Sequence, residues 1–345
     1  MQEVVVGVDS HKSTFAGAIV DLLGKPIEAK EFRNEPKGHE GFLKWARSRG
    51  DVMRIGVECS ETWGAALTRY LLAAELDVRE VPTRLAHREA RRRTAQAKSD
   101  PGDALAIARV VAREQDLPSP RRSEVSEELK LLSDYRDQLR RARNQFTNRI
   151  HKDLAIMKPG YEKNIPDLTG KRILKKVIEL IAKEEGIRAE LMRDRVAEVQ
   201  RIDQEILRIT KVVEAKVAES ETSLTELPGV GALTAARIIG EVGDITKFKS
   251  KAAFGHITGT APIPASSGTV VRYRLNRAGN RRLNHAIHFM AITQLRIHPD
   301  AKDYILKKVS EGKSKREAIR CLKRHLANVI YRKMMSDAER LKMAA

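Results

Sequence analysis

The stretch Lys98-Ser99-Asp100-Pro101-Gly102-Asp103 joins a very basic segment to an apolar helical one, Ala104 to Val111. Asp100 fits a helix N-cap, Pro101 the first helical position and Asp103 the third. One reading of the two acids is local, since carboxylates are favoured beside the positive end of a helix. The other depends on two distant residues. Asp9 closes the β-branched run Val4-Val5-Val6-Gly7-Val8, and Glu58 closes the run that starts at Asp51. Two strand tips and a helix start can meet at one end of a sheet, where carboxylates give a divalent cation the hard oxygen ligands it prefers. Cations crowd the segment just before the acid pair: Arg84, His87, Arg88, Arg91, Arg92, Arg93 and Lys98. Such a run is either a solvated face or what a phosphodiester backbone needs in order to approach carboxylates that repel it. The second reading is preferred here.

Two later stretches also carry chemistry. Leu227-Pro228-Gly229-Val230-Gly231-Ala232 runs into a helix through Ile239 and has the form of a helix-hairpin-helix, in which Gly229 and Gly231 let backbone N–H groups approach a phosphate. Contacts of that kind position a strand without reading its bases. An ordinary Gly-rich helix connection is the alternative. Pro262 to Thr269 is a small-residue loop containing Ser266 and Ser267, followed by Arg272, Arg274, Arg277, Arg281 and Arg282. A serine there is a candidate nucleophile, with guanidinium groups to stabilise a charged transition state. No hydrolase-type partner is placed by spacing, and His285 and His288 lie on an apolar helix.

The composition narrows the class. At 345 residues the chain has room for two or three domains. Its net charge of +19 and pI near 10.0 point to a polyanionic partner, foremost nucleic acid. A membrane-surface role lacks a lipidation signal, and no run of about 18 apolar residues offers a span. Cys59 and Cys321 form neither a disulfide framework nor a zinc pattern, which fits a reducing cytosol. Aromatic residues are 4% of the chain, so Lys and Arg contacts to phosphate, rather than base stacking, are expected to dominate binding.

These residues need a scaffold. Val4–Val8, Thr14–Val20 and Ile27–Phe32 predict an antiparallel meander. A helix over His39–Arg49, a strand over Asp51–Glu58, a helix over Trp63–Ala74 and a strand over Val78–Pro82 follow. That order is α/β with one mixed sheet. Pro118-Ser119-Pro120 marks its end. Leu132, Tyr135, Leu139, Ala142, Phe146 and Ile150, then Val199, Ile202, Ile206, Ile209, Val213 and Val217, recur at helical steps on either side of Pro159-Gly160. They predict a helical hairpin or coiled coil for spacing or oligomerisation, with Arg140, Arg141, Arg143 and Arg149 solvated. Lys307 to Arg332 reads as one basic amphipathic helix. The expected domains are 1–118, an α/β domain; 119–218, a helical spacer; and 219–345, a mostly helical domain with the hairpin and the serine loop.

In this order the pieces resemble the insertion-sequence family IS110 of transposases, the DEDD-type recombinases, over nearly the whole chain. The family's acids match Asp9 in Gly7-Val8-Asp9-Ser10-His11-Lys12, Glu58 in Gly56-Val57-Glu58-Cys59, and Asp100 and Asp103. Its serine before a glycine falls on Ser267. The resemblance implies an RNase H-like N-terminal domain whose four acids hold Mg²⁺ (or Mn²⁺), a coiled-coil spacer and a C-terminal domain with a nucleophilic serine. It further implies a structured bridge RNA that pairs with donor and target double-stranded DNA. A homo-oligomer, dimer or tetramer, is implied as well, in which the serine of one subunit meets the acids of another. A prokaryotic, cytoplasmic, nucleoid-associated setting follows. A serine–DNA linkage conserves the phosphodiester energy, consistent with the lack of a nucleotide-hydrolase phosphate loop. Two features depart from the pattern: Glu61 competes with Glu58, and Ser266 stands beside Ser267. The other readings are an RNase H-like nuclease or Holliday-junction resolvase that uses water, and a non-catalytic DNA scaffold.

Overall fold

The computed structural model describes residues 2–60, 62–91, 100–120, 123–265, 273–274, 276 and 279–344. The chain divides into two compact units, Met1–Arg121 and Arg122–Ala345.

The first unit is built on β1 (Glu3–Ser10), β2 (Thr14–Asp21), β3 (Pro26–Arg33), α1 (Pro36–Arg49), β4 (Asp51–Val57), α2 (Ala65–Ala73), β5 (Val78–Glu80), α3 (Thr83–Ala90) and α4 (Asp100–Arg113). One mixed sheet runs in the order β3-β2-β1-β4-β5. The meander β1-β2-β3 is antiparallel, while β4 lies parallel to β1 and β5 parallel to β4. β1 sits at the centre because both of its faces are apolar, as a strand covered on two sides requires. Val4, Val6 and Val8 join Phe15, Ile19, Phe42, Ile55 and Leu67 in one core. Val5 turns to the opposite face, against Ile107, Ala108, Val110 and Val111 of α4. Each such side chain, fully buried, contributes roughly 1.5–3 kcal/mol. α1 opens at Pro36, three residues before the expected His39, since proline suits a first helical turn.

The second unit begins with two long helices, α5 (Glu124–Met157) and α7 (Ile187–Glu219), with α6 (Lys171–Leu180) between them. α5 and α7 run antiparallel: Glu128 meets Lys216 at 3.0 Å, Arg143 meets Asp203 at 2.5 Å, and Asp153 meets Arg188 at 3.0 Å. Arg143 is therefore not a solvated cation; its guanidinium is bridged to Asp203 and also donates to the Leu168 carbonyl at 2.9 Å. α6 closes the far end by burying Leu174 and Val177 against Ile150, Leu154 and Val196. The remaining elements are α8 (Ala232–Val242), α9 (Lys251–Ile257), β6 (Ile263–Pro264), β7 (Tyr273–Arg274), α10 (Arg281–Ile297), α11 (Pro299–Ser310) and α12 (Lys315–Ala344).

The basic tail is two helices, not one. Gly312 takes φ +86°, which ends α11. Ser314 and Glu317 then start α12 with a capping box: the Ser314 N–H donates to the Glu317 carboxylate at 3.0 Å, and the Glu317 N–H approaches Ser314 Oγ at 3.4 Å. None of the described helices is long and apolar enough to cross a membrane.

Candidate active site

The site in the first unit begins with glycine. Gly7 of β1 and Gly56 of β4 are register partners, on the sheet face that α4 covers. A Cβ at Gly7 would stand 2.1 Å from the Ala108 nitrogen and 2.4 Å from the Ala104 carbonyl oxygen, and one at Gly56 would stand 2.1 Å from Val111 Cγ2. Ala16 and Ala18 of β2 pack with Ala104 on the same platform. These small residues let the helix backbone lie directly on the sheet, and its first turn, with Asp100 and Asp103, arrives at the strand tips.

Side chains alternate along a strand, so Asp9, two residues beyond Gly7, shares that face. Val8 pairs with Val57, and the Glu58 N–H continues the ladder by donating to the Val8 carbonyl at 3.1 Å. Glu58 thus stands beside Asp9 on neighbouring strands. The chain then folds back sharply. Cys59 adopts φ +57°, and its carbonyl accepts from the N–H groups of Thr62 at 2.9 Å and Gly64 at 3.2 Å. A left-handed non-glycine residue costs on the order of 1–2 kcal/mol, a local strain at the tip that presents Glu58. Burial, then the Glu58 charge, push the Cys59 thiol up.

Ligand atoms of Asp9, His11 and Asp100 lie within 4.8 Å of one another. His11 Nε2 is 3.3 Å from Asp9 Oδ2 and 3.5 Å from Asp100 Oδ2. The Asp9 carboxyl is held above its ordinary 3.8, first by burial; His11 opposes the rise, and the charges of Glu58, Asp103 and Asp100 add to it. Of the four sequence-predicted acids, Asp9 and Asp100 join this cluster, while Glu58 and Asp103 reach Asp9 through their charge and are not among its mutually close ligand atoms. His11 is the member of this cluster that sequence spacing does not mark as a site residue. Its signal was its place just past a strand end, where its N–H closes a turn onto the Thr14 carbonyl at 2.9 Å. The carboxylate oxygens suit a hard divalent cation, whereas the His11 imidazole is a borderline donor; a half-buried carboxylate among like charges gains most from a cation. Glu61 lies outside the described residues.

Of the basic run, Arg84, Arg88 and Arg91 are exposed. Arg88 approaches Glu114 at 3.8 Å, a surface pair worth little. Arg92, Arg93 and Lys98 lie outside the described residues.

In the second unit, Gly229 takes φ +81° and Gly231 caps α8 with open space where a Cβ would stand. The element just before them is a four-residue 3-10 turn, Ser223–Glu226. It is tied to α12, because Asp337 accepts from the Ser223 N–H at 2.9 Å and the Ser223 hydroxyl at 2.6 Å. β6 and β7 pair antiparallel as a hairpin, Ile263 with Arg274 and Pro264 with Tyr273. Ser266, Ser267, Arg272 and Arg277 lie outside the described residues, whereas Arg274 and Arg281 are exposed. The hairpin is anchored at its root. A Cβ at Gly279 would stand 2.4 Å from the Gly259 nitrogen, and the Asn280 N–H donates to the Ile257 carbonyl at 2.6 Å. Asn280 also caps α10 and donates from Nδ2 to Glu241 at 2.7 Å. Glu241 in turn faces Lys130, Arg237 and Arg282 at 3.4–3.5 Å.

Comparison with known proteins covers both units. The IS110 DEDD transposase model matches residues 6–159, and the model described as the transposase IS116/IS110/IS902 family matches residues 221–306. The chain is 24% identical to the uncharacterized 44.8 kDa protein of insertion element IS116 from Streptomyces clavuligerus, over 94% of this chain and 93% of that one. It is 25% identical to the uncharacterized 43.6 kDa protein of insertion element IS110 from Streptomyces coelicolor, over 95% and 93%. It is 27% identical to the uncharacterized 42 kDa protein of insertion element IS900 from Mycobacterium paratuberculosis, over 41% and 36%. The first match spans Asp9, Glu58, Asp100 and Asp103, the second spans β6 and β7, and two relatives align over nearly the whole chain: the chain belongs to the IS110 family of insertion-sequence transposases.

Proposed function

We propose that this transposase cuts and rejoins donor and target DNA with a divalent-cation centre held by Asp9, Glu58, Asp100 and Asp103, and with Ser267 as the nucleophile. The observation that carries this reading is the cluster of Asp9 with Asp100 and His11 at the end of β1, where burial and the charges of Glu58, Asp103 and Asp100 all raise the Asp9 carboxyl. The strand order β3-β2-β1-β4-β5 supports an RNase H-like identity for residues 1–118. Bound Mg²⁺ or Mn²⁺ supplies Lewis-acid polarisation of a phosphate and a lowered pKa for a coordinated hydroxyl. The chain's own residues do the rest. Asp9 and Glu58 are fixed by strand backbone, and Asp100 and Asp103 by a helix start, so the carboxylates keep their spacing. Arg84, Arg88, Arg91, Arg92, Arg93 and Lys98 offset the repulsion between those acids and an incoming backbone. In the reaction, Ser267 Oγ bonds to phosphorus as the bond from phosphorus to a deoxyribose oxygen breaks, the serine proton passing by way of water to that leaving oxygen; attack by a DNA hydroxyl then breaks the Oγ–phosphorus bond, returns a proton to Oγ and reseals the strand.

The bridge RNA follows from family resemblance and is consistent with the +19 charge. The antiparallel pair α5 and α7 is proposed as a coiled-coil spacer, residues 119–218, that sets the partner subunit in a dimer or tetramer. The domain at 219–345 would then present Ser267 to the acids of that partner, with the hairpin at Gly229 and Gly231 holding backbone phosphates.

The test mixes a Ser267→Ala chain with an Asp9→Ala chain on labelled DNA. The expected result is that neither alone forms a covalent protein–DNA adduct and the mixture recovers part of it. Cutting that persists in Ser267→Ala without an adduct would replace this mechanism with a water-dependent nuclease. Mixed oligomers that form but never recover the adduct would end the shared-site mechanism.

A further inference from the structure

Between the root of the serine hairpin and helices α11 and α12 lies a cavity of about 680 Å³. Among the described residues its cations are Arg274, Lys308, Lys313, Arg320, Lys323 and Arg324, against a single acid, Glu317. Most of these charges have a use within the fold. Glu317 is occupied by the Ser314 capping box and lies 3.6 Å from Arg320. Lys308 meets Glu311 at 2.7 Å, and Arg324 donates to the Lys251 carbonyl at 3.2 Å.

Lys323 has no ion-pair partner among the described residues. It is 7% exposed. Its Nζ donates to Asn284 Oδ1 at 2.6 Å, and no carboxylate lies within ion-pair distance of it among the described residues. Asn284 is itself fixed, donating from Nδ2 to the Thr258 carbonyl at 2.8 Å. A buried ammonium has three N–H groups to satisfy and loses much hydration for one neutral acceptor. Burial accordingly brings it down to about 8. A structural lysine would have been better served by methionine, or by an acid nearby. A lysine kept charged at the wall of a cationic cavity is what an anion site requires.

We propose that this cavity binds phosphate groups of a nucleic-acid strand, with Lys323 as the buried contact and Arg274, Lys313 and Arg320 as the outer ones. Tyr273 and Arg274 form β7, so the cavity wall and the serine hairpin share a strand. Phosphates seated there would fix the strand's register relative to residues 265–272. Tyr273, 58% exposed at the rim, offers a face to a sugar or base. The choice of a nucleic-acid strand over another polyanion rests on the proposed role of the hairpin; the preference for phosphate rests on the cavity alone.

The experiment measures binding of fluorescein-labelled single-stranded DNA and RNA of equal length to the full chain. EDTA is present, so that neither cutting nor the acidic centre contributes and failure of the nuclease mechanism would leave the result untouched. Inorganic triphosphate serves as competitor. The expected result is that Lys323→Met keeps or raises the melting temperature, weakens strand binding about tenfold and flattens the log–log salt slope by about 0.7. Lys313→Gln with Arg320→Gln should flatten it by up to twice that, and it decides alone if Lys323→Met does not fold. Equal losses for DNA and RNA support a general backbone site, and a loss confined to one polymer supports the site and names its source. Unchanged affinity, slope and triphosphate competition in folded variants would overturn the proposal.

Discussion

Replacing Gly7 with alanine is the smallest change that should dismantle the acidic site without touching an acid. The added methyl would meet the Ala108 nitrogen at 2.1 Å, the Ala104 oxygen at 2.4 Å and Ala108 Cα at 2.7 Å. All three are backbone atoms, so no rotamer change relieves the clash, and α4 must withdraw about 1.3 Å to reach ordinary contact. Overpacking of this kind costs about 1–3 kcal/mol, and a backbone contact belongs at the upper end, equivalent to a fall in Tm of about 10 °C. The withdrawal carries Asp100 and Asp103 away from Asp9 and Glu58, and a displacement on the order of 1 Å should weaken cation binding at least tenfold. The assay pairs thermal melting in EDTA with calorimetric Mn²⁺ titration. Gly41→Ala is the control, because nothing lies within 4 Å of its Cβ position and a helical Gly→Ala change adds up to about 1 kcal/mol. A Gly7→Ala chain that melts and binds Mn²⁺ like the parent would refute the claim that the glycine platform positions the acids.

Three further outcomes are expected. Burial pushes the Glu241 carboxyl up, but the Asn280 hydrogen bond and the charges of Lys130, Arg282 and Arg237 outweigh it and leave it below the ordinary 4.5. A depressed carboxyl stabilises the fold at neutral pH and loses that contribution as pH falls through its folded value. Glu241→Gln should therefore cost about 3 kcal/mol at pH 7 and progressively less in urea melts below pH 4.5; a constant difference across that range would contradict the assignment. Ser314→Ala should remove the cap of α12 at a cost of about 1 kcal/mol, seen as a lower Tm without loss of helical circular dichroism; an unchanged Tm would leave Gly312 as the sole cause of the break. Arg91→Ala, Arg92→Ala and Arg93→Ala together should flatten the salt slope of duplex-DNA binding by up to about 2.7, and an unchanged slope would make the cluster a solvated face.

Much of the first unit could be read in advance. Val4 to Val8 is β-branched throughout, the turn residues Gly24 and Pro26 separate β2 from β3, and a carboxylate at each strand tip has no packing use. What could not be read was distance. Nothing local marks Gly7 and Gly56 as points of backbone approach rather than gaps in strand propensity, because the atoms they admit belong to a helix about a hundred residues later in one case and fifty in the other. His11 was overlooked for a similar reason, since its partner Asp100 is remote in sequence. The break at Gly312 was legible, because Ser314 and Glu317 spell a capping box that the amphipathic pattern around them obscured. Tyr135 fits the apolar stripe of α5 by spacing yet is 41% exposed, because the α7 seam falls on the buried Leu129 and Leu139 instead. Lys323 reads as one more basic residue in a basic tail, and only the packing of α12 against α10 shows it to be buried.

The most direct test of the account is calorimetric titration of Mn²⁺ into the parent chain and into Asp9→Asn, Glu58→Gln, Asp100→Asn and Asp103→Asn, each verified as folded by its melting curve. Saturable binding is expected in the parent, with a loss of at least about tenfold in every one of the four variants, if carboxylates from two strands and a helix serve one centre. Undiminished binding in Glu58→Gln or Asp103→Asn would contradict it, leaving Asp9, His11 and Asp100 as a smaller cluster with no shared role for the other two acids.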